Sequence, residues 1–222
     1  MKAGLVVREI FPTVQGEGSK AGTPAVFVRL ANCNLWSGRE DGRATGRGEC
    51  SVWCDTDFVG GTHYTVEEIV KAISRFTVAW PETLVVLSGG EPMLQLRKPI
   101  GVELVRAIKE IGAVVSIETN GTIASPLFDM FDHITLSPKA IKGSDGWDHI
   151  LVRSGTDLKV IVPALWSLEA LQMFSTWAFD YKFFQPKDIG DSGASSTPVA
   201  VEMAQKYGWR VSFQTHKFAG LQ

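Results

Sequence analysis

The amino-acid sequence predicts an α/β fold, an open, partial (β/α) barrel around a mainly parallel sheet of about six or seven strands. Three observations predict it. From Ala25 onward, short apolar runs rich in Val, Ile and Phe alternate with segments of helical periodicity, the pattern of βαβ units and a parallel sheet. The strand-like runs are too few for a closed eight-stranded barrel. Polar, turn-forming residues follow several of the runs, and right-handed βαβ crossovers bring such segments to one rim, where ligand-binding loops collect.

The elements follow in order. Ala25–Leu30 reads as a strand, and Thr65–Phe76 as a helix with Thr65 as N-cap and Glu67 and Glu68 in its first turn. In that helix Val66, Ile69, Val70 and Ile73 form one apolar stripe. Leu84–Leu87 is a buried-type strand, Gly101–Ile111 a helix stopped by Gly112, and Val114–Ile117 the next strand. Ile134–Leu136, Leu158–Val162, Lys182–Phe184 and Arg210–Phe213 complete the strands; Trp166–Trp177 and Pro198–Tyr207 complete the helices. The polar segments after strands are Ser88-Gly89-Gly90-Glu91-Pro92, Glu118-Thr119-Asn120-Gly121, Ser137-Pro138-Lys139 and Gln185-Pro186. One such segment is an ordinary turn; their recurrence points to a rim that reads a polar ligand.

Hydrophobic residues make up 45% of the 222 and charged residues 21%, enough apolar material for a packed core. We expect a single domain over 1–222, with a cysteine-bearing loop at 33–58 and an excursion at 37–49 inside it. The net charge of -2 argues against a dedicated nucleic-acid binder. No apolar run approaches the roughly 20 residues that span a bilayer, and Arg8 and Glu9 interrupt any signal-like start. The expectation is a cytoplasmic protein with no membrane partner.

The cysteines are Cys33, Cys50 and Cys54. An odd number excludes a closed disulfide framework. Scattered cysteines are ordinarily small buried hydrophobes, but these three lie together in a polar loop region and the rest of the chain has none. That favours metal binding. Three thiolates on a cubane iron–sulfur cluster leave one iron open. A zinc site needs a fourth ligand, and His63, nine residues past Cys54, is the nearest His.

At these residues the chain resembles the 7-carboxy-7-deazaguanine synthase family of radical S-adenosylmethionine (SAM) enzymes. The resemblance runs from Glu9-Ile10-Phe11-Pro12-Thr13-Val14-Gln15-Gly16-Glu17-Gly18 through Cys33-Asn34-Leu35-Trp36 and Cys54-Asp55-Thr56-Asp57-Phe58 to Gln214-Thr215-His216-Lys217. It includes Ser88-Gly89-Gly90-Glu91-Pro92, which alone says only radical SAM. The excursion at 37–49 resembles an insertion that some family members carry. The one departure is that three residues, Ser51, Val52 and Trp53, separate Cys50 from Cys54, where the family normally has two.

The resemblance implies a 4Fe–4S cluster on Cys33, Cys50 and Cys54, with SAM chelated by the fourth iron and cleaved reductively to a 5′-deoxyadenosyl radical. It implies SAM contacts from Trp53, Cys54, Asp55, Gly89, Gly90, Glu91, Ser137, Pro138, Lys139 and Gln185. Glycines suit a close backbone approach, and Glu91 suits the SAM ammonium. Thr56 resembles the position whose hydroxyl contacts Mg²⁺, a cation that prefers oxygen ligands. The implied reaction converts 6-carboxy-5,6,7,8-tetrahydropterin to 7-carboxy-7-deazaguanine with loss of ammonia, a carbon–nitrogen lyase step in queuosine and 7-deazapurine biosynthesis. Val14, Gln15, Gly16, Glu17, Arg29, Ser88, His216 and the terminal carboxylate of Gln222 are the implied substrate contacts, with Arg29 suited to a bidentate carboxylate pair. No residue is assigned as a protein acid or base. An external electron donor and a homodimer complete the implied partners. The competing readings are another radical SAM reaction, such as a glycyl-radical activating enzyme, and a non-catalytic metal-binding module. The first is not expected to share the Gln15/Glu17 segment or the His216 tail.

Overall fold

The structure, a computed structural model, describes residues 4–39, 50, 54–77, 82–141, 146–164 and 166–221. Residues 40–49 of the expected excursion, the Ser51–Trp53 spacer and Gln222 lie outside them.

The chain begins with β1 (Leu5–Val14), which pairs antiparallel with β2 (Pro24–Leu30) on one side and β3 (Thr62–Tyr64) on the other. The sequence patterning did not reveal β1 or β3. The helix α1 (Val66–Thr77) follows. Thr65 and Glu68 form a reciprocal cap at its start: the Thr65 hydroxyl accepts from the Glu68 N–H at 3.3 Å, and Glu68 Oε2 accepts from the Thr65 N–H at 2.8 Å. Next come β4 (Leu84–Gly89), a short α2 (Met93–Leu96), α3 (Pro99–Glu110), β5 (Val114–Thr119) and β6 (His133–Leu136). The chain continues with β7 (Ser154–Val162), α4 (Leu168–Thr176), β8 (Ala178–Pro186), α5 (Thr197–Tyr207), β9 (Arg210–Val211) and α6 (Thr215–Phe218).

Among the described residues nine strands join one sheet in the order β3-β1-β2-β4-β5-β6-β7-β8-β9. From β2 to β9 every pairing is parallel, so the seven strands expected from the sequence form the parallel part. The sheet does not close: β3 and β9 each have one partner, which matches the expected open barrel. No described helix is long and apolar enough to cross a membrane.

The strand period of two decides what faces where. One set of alternate residues, including Val26, Val28, Leu30, Val85, Leu87, Val115 and Ile117, is fully buried under α1 and α3. Leu158, Val160 and Val162 of β7 pack likewise with Ala170, Leu171 and Phe174 of α4 and Ala200 and Ala204 of α5. The complementary set faces the other side: Ala25, Leu84 and Val86 form a small apolar cluster there, and Arg29, Ser88, Glu118, Lys159 and Gln185, each farther along its strand, line one cavity. A parallel sheet with both faces covered ordinarily reads as continuous apolar runs. These interior polar residues break that rule and mark the site.

Candidate active site

The cavity, ≈ 340 Å³, opens at the C-terminal ends of the parallel strands. Its size suits a small-molecule site. One wall is aromatic. Phe11 of β1 and Phe27 of β2 are cross-strand partners and stack at 5.6 Å between ring centroids, with the Arg29 guanidinium 5.2 Å over Phe11. Arg29 is also cross-strand to Glu9 and bonds it at 2.6 Å, so its fork is held in place on the cavity wall.

The cysteines line the cavity as well. Cys33 follows β2; Cys50 is placed by its N–H donating to the Leu35 carbonyl at 3.1 Å and by a β-bridge to Ile141. Cys33, Cys50 and Cys54 all line the cavity and pack with Leu35, Trp36, Phe58 and Ile161. None is in a disulfide. Burial pushes the Cys33 and Cys54 thiols up, and each also feels another thiol of the trio, Cys54 for Cys33 and Cys50 for Cys54.

The floor is a hydrogen-bonded network centred on Glu17. Its Oε1 accepts from Gln185 Nε2 at 3.1 Å and Gln214 Nε2 at 2.8 Å, and its Oε2 contacts the Lys159 ammonium. Gln15 supports it from below, accepting from the Glu17 N–H at 3.1 Å and donating to Glu118 Oε1 at 3.0 Å. Ser88 donates to the other Glu118 oxygen at 2.9 Å. Burial pulls Lys159 down to about 7, and the Lys217 charge adds to it; Glu17 is the counter-charge in contact. His216 lies below its ordinary value because it is buried and faces the Lys217 and Lys159 ammonium groups. Its ring lies flush on Gly16: a Cβ there would stand 1.8 Å from Nδ1.

The chain is 40% identical over 226 residues to a 7-carboxy-7-deazaguanine synthase of Burkholderia multivorans, an alignment covering 97% of this chain and 98% of that one. It is 39% identical over 224 residues, with the same coverage, to a 7-carboxy-7-deazaguanine synthase of Bradyrhizobium diazoefficiens. The chain belongs to the 7-carboxy-7-deazaguanine synthase family. No family model matches it. Its fold is that of the crystal structure of QueE from Escherichia coli, with a TM-score of 0.70 over 95% of this chain and 94% of that one at 23% identity.

Against the synthase-family expectations, Val14, Gln15, Glu17, Arg29, Ser88 and His216 line the cavity, as do Cys54, Asp55, Thr56, Gly89, Gly90, Ser137, Lys139 and Gln185. Gly16 and Pro138 stand behind the lining. So does Glu91, which is fully buried: Oε1 accepts from the Met93 N–H at 3.0 Å and the Thr119 hydroxyl at 2.8 Å, and Oε2 from the Asn120 N–H at 2.7 Å. Burial pushes this carboxyl up against the pull of those hydrogen bonds. It binds the β4 rim to the β5 rim. Trp53 and Gln222 lie outside the described residues.

Gly89 and Gly90 are needed by the protein's own backbone. A Cβ on Gly89, at φ +137°, would stand 1.9 Å from the Leu30 carbonyl oxygen, and one on Gly90 2.3 Å from that of Asn32. Lys139 is turned back on its own segment, donating to Ser137 Oγ at 2.5 Å and to the Ser137 carbonyl at 3.0 Å. The carboxylates flanking Thr56 are both engaged, Asp55 by Lys217 and Gln214 and Asp57 by Arg8.

The donor set fits a 4Fe–4S cluster. Among the described residues no three His, Cys, Asp or Glu side chains gather on a point that could hold one metal ion. A cubane does not need that, since each thiolate takes a different iron. Among the described residues the zinc reading lacks its fourth ligand: His63 is exposed on β3 and does not line the cavity. The apolar setting of the three cysteines also limits solvent access to a cluster.

The sequence reasoning missed Lys159, Phe11 and Phe27 as site residues. Lys159 had a signal: it is the one ionisable residue in the apolar run Leu158–Val162, and a lone charge in a parallel strand needs a partner inside.

Proposed function

We propose that this chain is a radical SAM enzyme that converts 6-carboxy-5,6,7,8-tetrahydropterin to 7-carboxy-7-deazaguanine with loss of ammonia, in queuosine and 7-deazapurine biosynthesis. The observation that carries the reading is that Cys33, Cys50 and Cys54 line the same cavity as Arg29, Glu17, Ser88 and the Phe11–Phe27 stack. The near-full-length identity to two synthases supports the substrate.

Cys33, Cys50 and Cys54 hold the 4Fe–4S cluster in this reading. When bound, cluster and SAM supply the one-electron chemistry that removes a hydrogen atom from the substrate. The chain's residues do the rest. Gly89, Gly90 and the Ser137–Lys139 rim seat SAM. Phe11 and Phe27 offer a flat apolar wall to a bicyclic ring. Arg29 presents its guanidinium to the substrate carboxylate while Glu9 fixes its orientation. Glu17 accepts from the ring donors, and Thr56 offers its hydroxyl to Mg²⁺. A reactive carbon radical attacks any C–H bond in reach, so exact placement of the substrate is the protein's main task. An external one-electron donor, an intracellular setting and a homodimer belong to the same proposal.

The test is anaerobic reconstitution with reductant, SAM and the carboxytetrahydropterin, followed by mass spectrometry. The expected product is 7-carboxy-7-deazaguanine together with 5′-deoxyadenosine. An intact cluster that cleaves SAM without forming the deazaguanine assigns the chain a different radical SAM reaction. No SAM cleavage at all rejects the enzyme reading in favour of a metal-binding module.

A further inference from the structure

Lys159 is a buried ionisable group on the cavity wall that the expected chemistry leaves without a task. It projects from β7 on the interior face, in the column Asp157, Lys159, Ile161, and its side chain is 6% exposed. Its ionic partner is Glu17, and among the described residues no other hydrogen bond fixes its ammonium. An ammonium has three N–H donors, so two remain for whatever occupies the cavity it lines. A buried charge with unspent donors is costly unless a ligand takes them up.

Glu17 sets the complementary half. A carboxylate oxygen offers two acceptor positions. On Oε1 both are taken, by Gln185 and Gln214. On Oε2 the Lys159 ammonium takes one. The acceptor position still open is therefore on the oxygen that Lys159 touches. The pair offers one acceptor directly beside free donors, held by strands β7 and β8 and the Gln214 segment.

We infer that Lys159 is a specificity-determining residue that, with Glu17, reads a ring lactam, accepting its N–H on Glu17 and donating to its C=O from Lys159. This rests on the functional reading above. The tetrahydropterin has such an edge, N3–H beside the oxo group at C4, and the deazaguanine product keeps it. The pair therefore holds the part of the ring that the reaction leaves unchanged. A 4-amino analogue would turn an N–H donor toward the Lys159 donors, and sites built around a hydrogen bond reject a mismatched partner strongly. Arg29, held by Glu9 on the β1–β2 wall, is left for the carboxylate.

The test is binding rather than turnover. Anaerobically reconstituted protein is titrated with 6-carboxypterin and with 2,4-diaminopteridine-6-carboxylic acid, following pterin fluorescence. The wild type is expected to prefer the 4-oxo ligand by at least about tenfold. Lys159→Met should cut that preference at least about threefold, leaving the share that Glu17 reads through the N3–H, and Lys159→Arg, which keeps donors, should retain most of it. Lys159→Gln serves if the Met variant does not fold, because an amide turns to donate to oxo or accept from amino and so removes the share of the preference that Lys159 supplies. A wild type that binds both ligands equally, or a folded Lys159→Met or Lys159→Gln that keeps the full preference, overturns the inference and leaves the functional reading standing. A wild type that binds neither ligand overturns both.

Discussion

The Lys217 ammonium lies 2.5 Å from an Asp55 carboxylate oxygen, so the residue that follows Cys54 is tied to the far end of the chain. The same ammonium lies 2.5 Å from Asp188, in the loop after β8, and 3.1 Å from Gln214 Oε1. One lysine thus joins the cysteine loop, the β8 rim and α6 over the cavity mouth.

Replacing Lys217 by Met should loosen that closure. Charge-assisted hydrogen bonds to partly buried carboxylates contribute about 1–3 kcal/mol each, and the two left behind would lose their shared partner. We expect a loss of about 2 kcal/mol in unfolding free energy and less iron retained after reconstitution. Urea unfolding and iron content per chain check both; unchanged values in both would show that the closure contributes nothing.

The same trio sets a pH dependence. Hydrogen bonds from Lys217 hold Asp55 and Asp188 below the usual carboxylate range against the opposing effect of burial, and Asp188 and Asp55 in turn raise Lys217. Lowered carboxylates contribute stability that is present above their unfolded value, about 3.9, and lost as pH falls through the folded one. A raised lysine contributes below its unfolded value, about 10.4, and loses that contribution as pH rises through the folded one. The stability difference between wild type and Lys217→Met should therefore be fullest at about pH 8 to 9, narrow toward about pH 6 as Lys159 and His216 take up protons that the Lys217 charge disfavours, and shrink further below about pH 4. Unfolding titrations at four pH values across that range read it directly.

Glu91→Ala separates a structural from a ligand-binding role. It strands the buried N–H groups of Met93 and Asn120 and the buried Thr119 hydroxyl without their carboxylate acceptor. Each unsatisfied buried group costs about 1–3 kcal/mol, so a loss of about 3 kcal/mol or more is expected without any SAM present. A variant as stable as wild type, with SAM affinity alone impaired, would show that Glu91 turns to the ligand instead.

Gly89→Ala forces either the β2 or the β4 rim to move, because the new methyl meets the Leu30 carbonyl. With a backbone that L side chains rarely adopt, the expected cost is about 2 kcal/mol or more. Circular dichroism melts before and after cluster loading distinguish this from a loss of cofactor affinity alone.

Much of this was legible in the sequence, for identifiable reasons. The seven parallel strands carried their own apolar signature, and the cysteine trio and the Ser88–Pro92 segment announced themselves by residue type. β1 did not, because Arg8, Glu9 and Pro12 interrupt its alternation and proline ordinarily demotes a strand. In the sheet Pro12 sits opposite Val26. β3 is three residues long and too short for any period. Missing β1 also hid the Glu9–Arg29 and Phe11–Phe27 partnerships, which exist only through cross-strand register. Glu91 was placed by chemistry on the ligand side; its three donors, on Met93 and the β5 end, depend on tertiary contacts that the sequence does not spell out.

The Gly16 carbonyl accepts from both the backbone N–H and the hydroxyl of Thr215, 199 positions later. The cavity floor is therefore built from two stretches far apart in the polypeptide. A nascent chain lacking the Gln214–Lys217 stretch has Glu17 without one of its amide donors, Asp55 without its lysine and Gly16 without its cover. The pocket comes into being only after that stretch emerges from the ribosome. Docking of that stretch on the β1 loop is thus the event that completes the cavity, and a variant that weakens it would blunt the site without touching any strand of the parallel sheet.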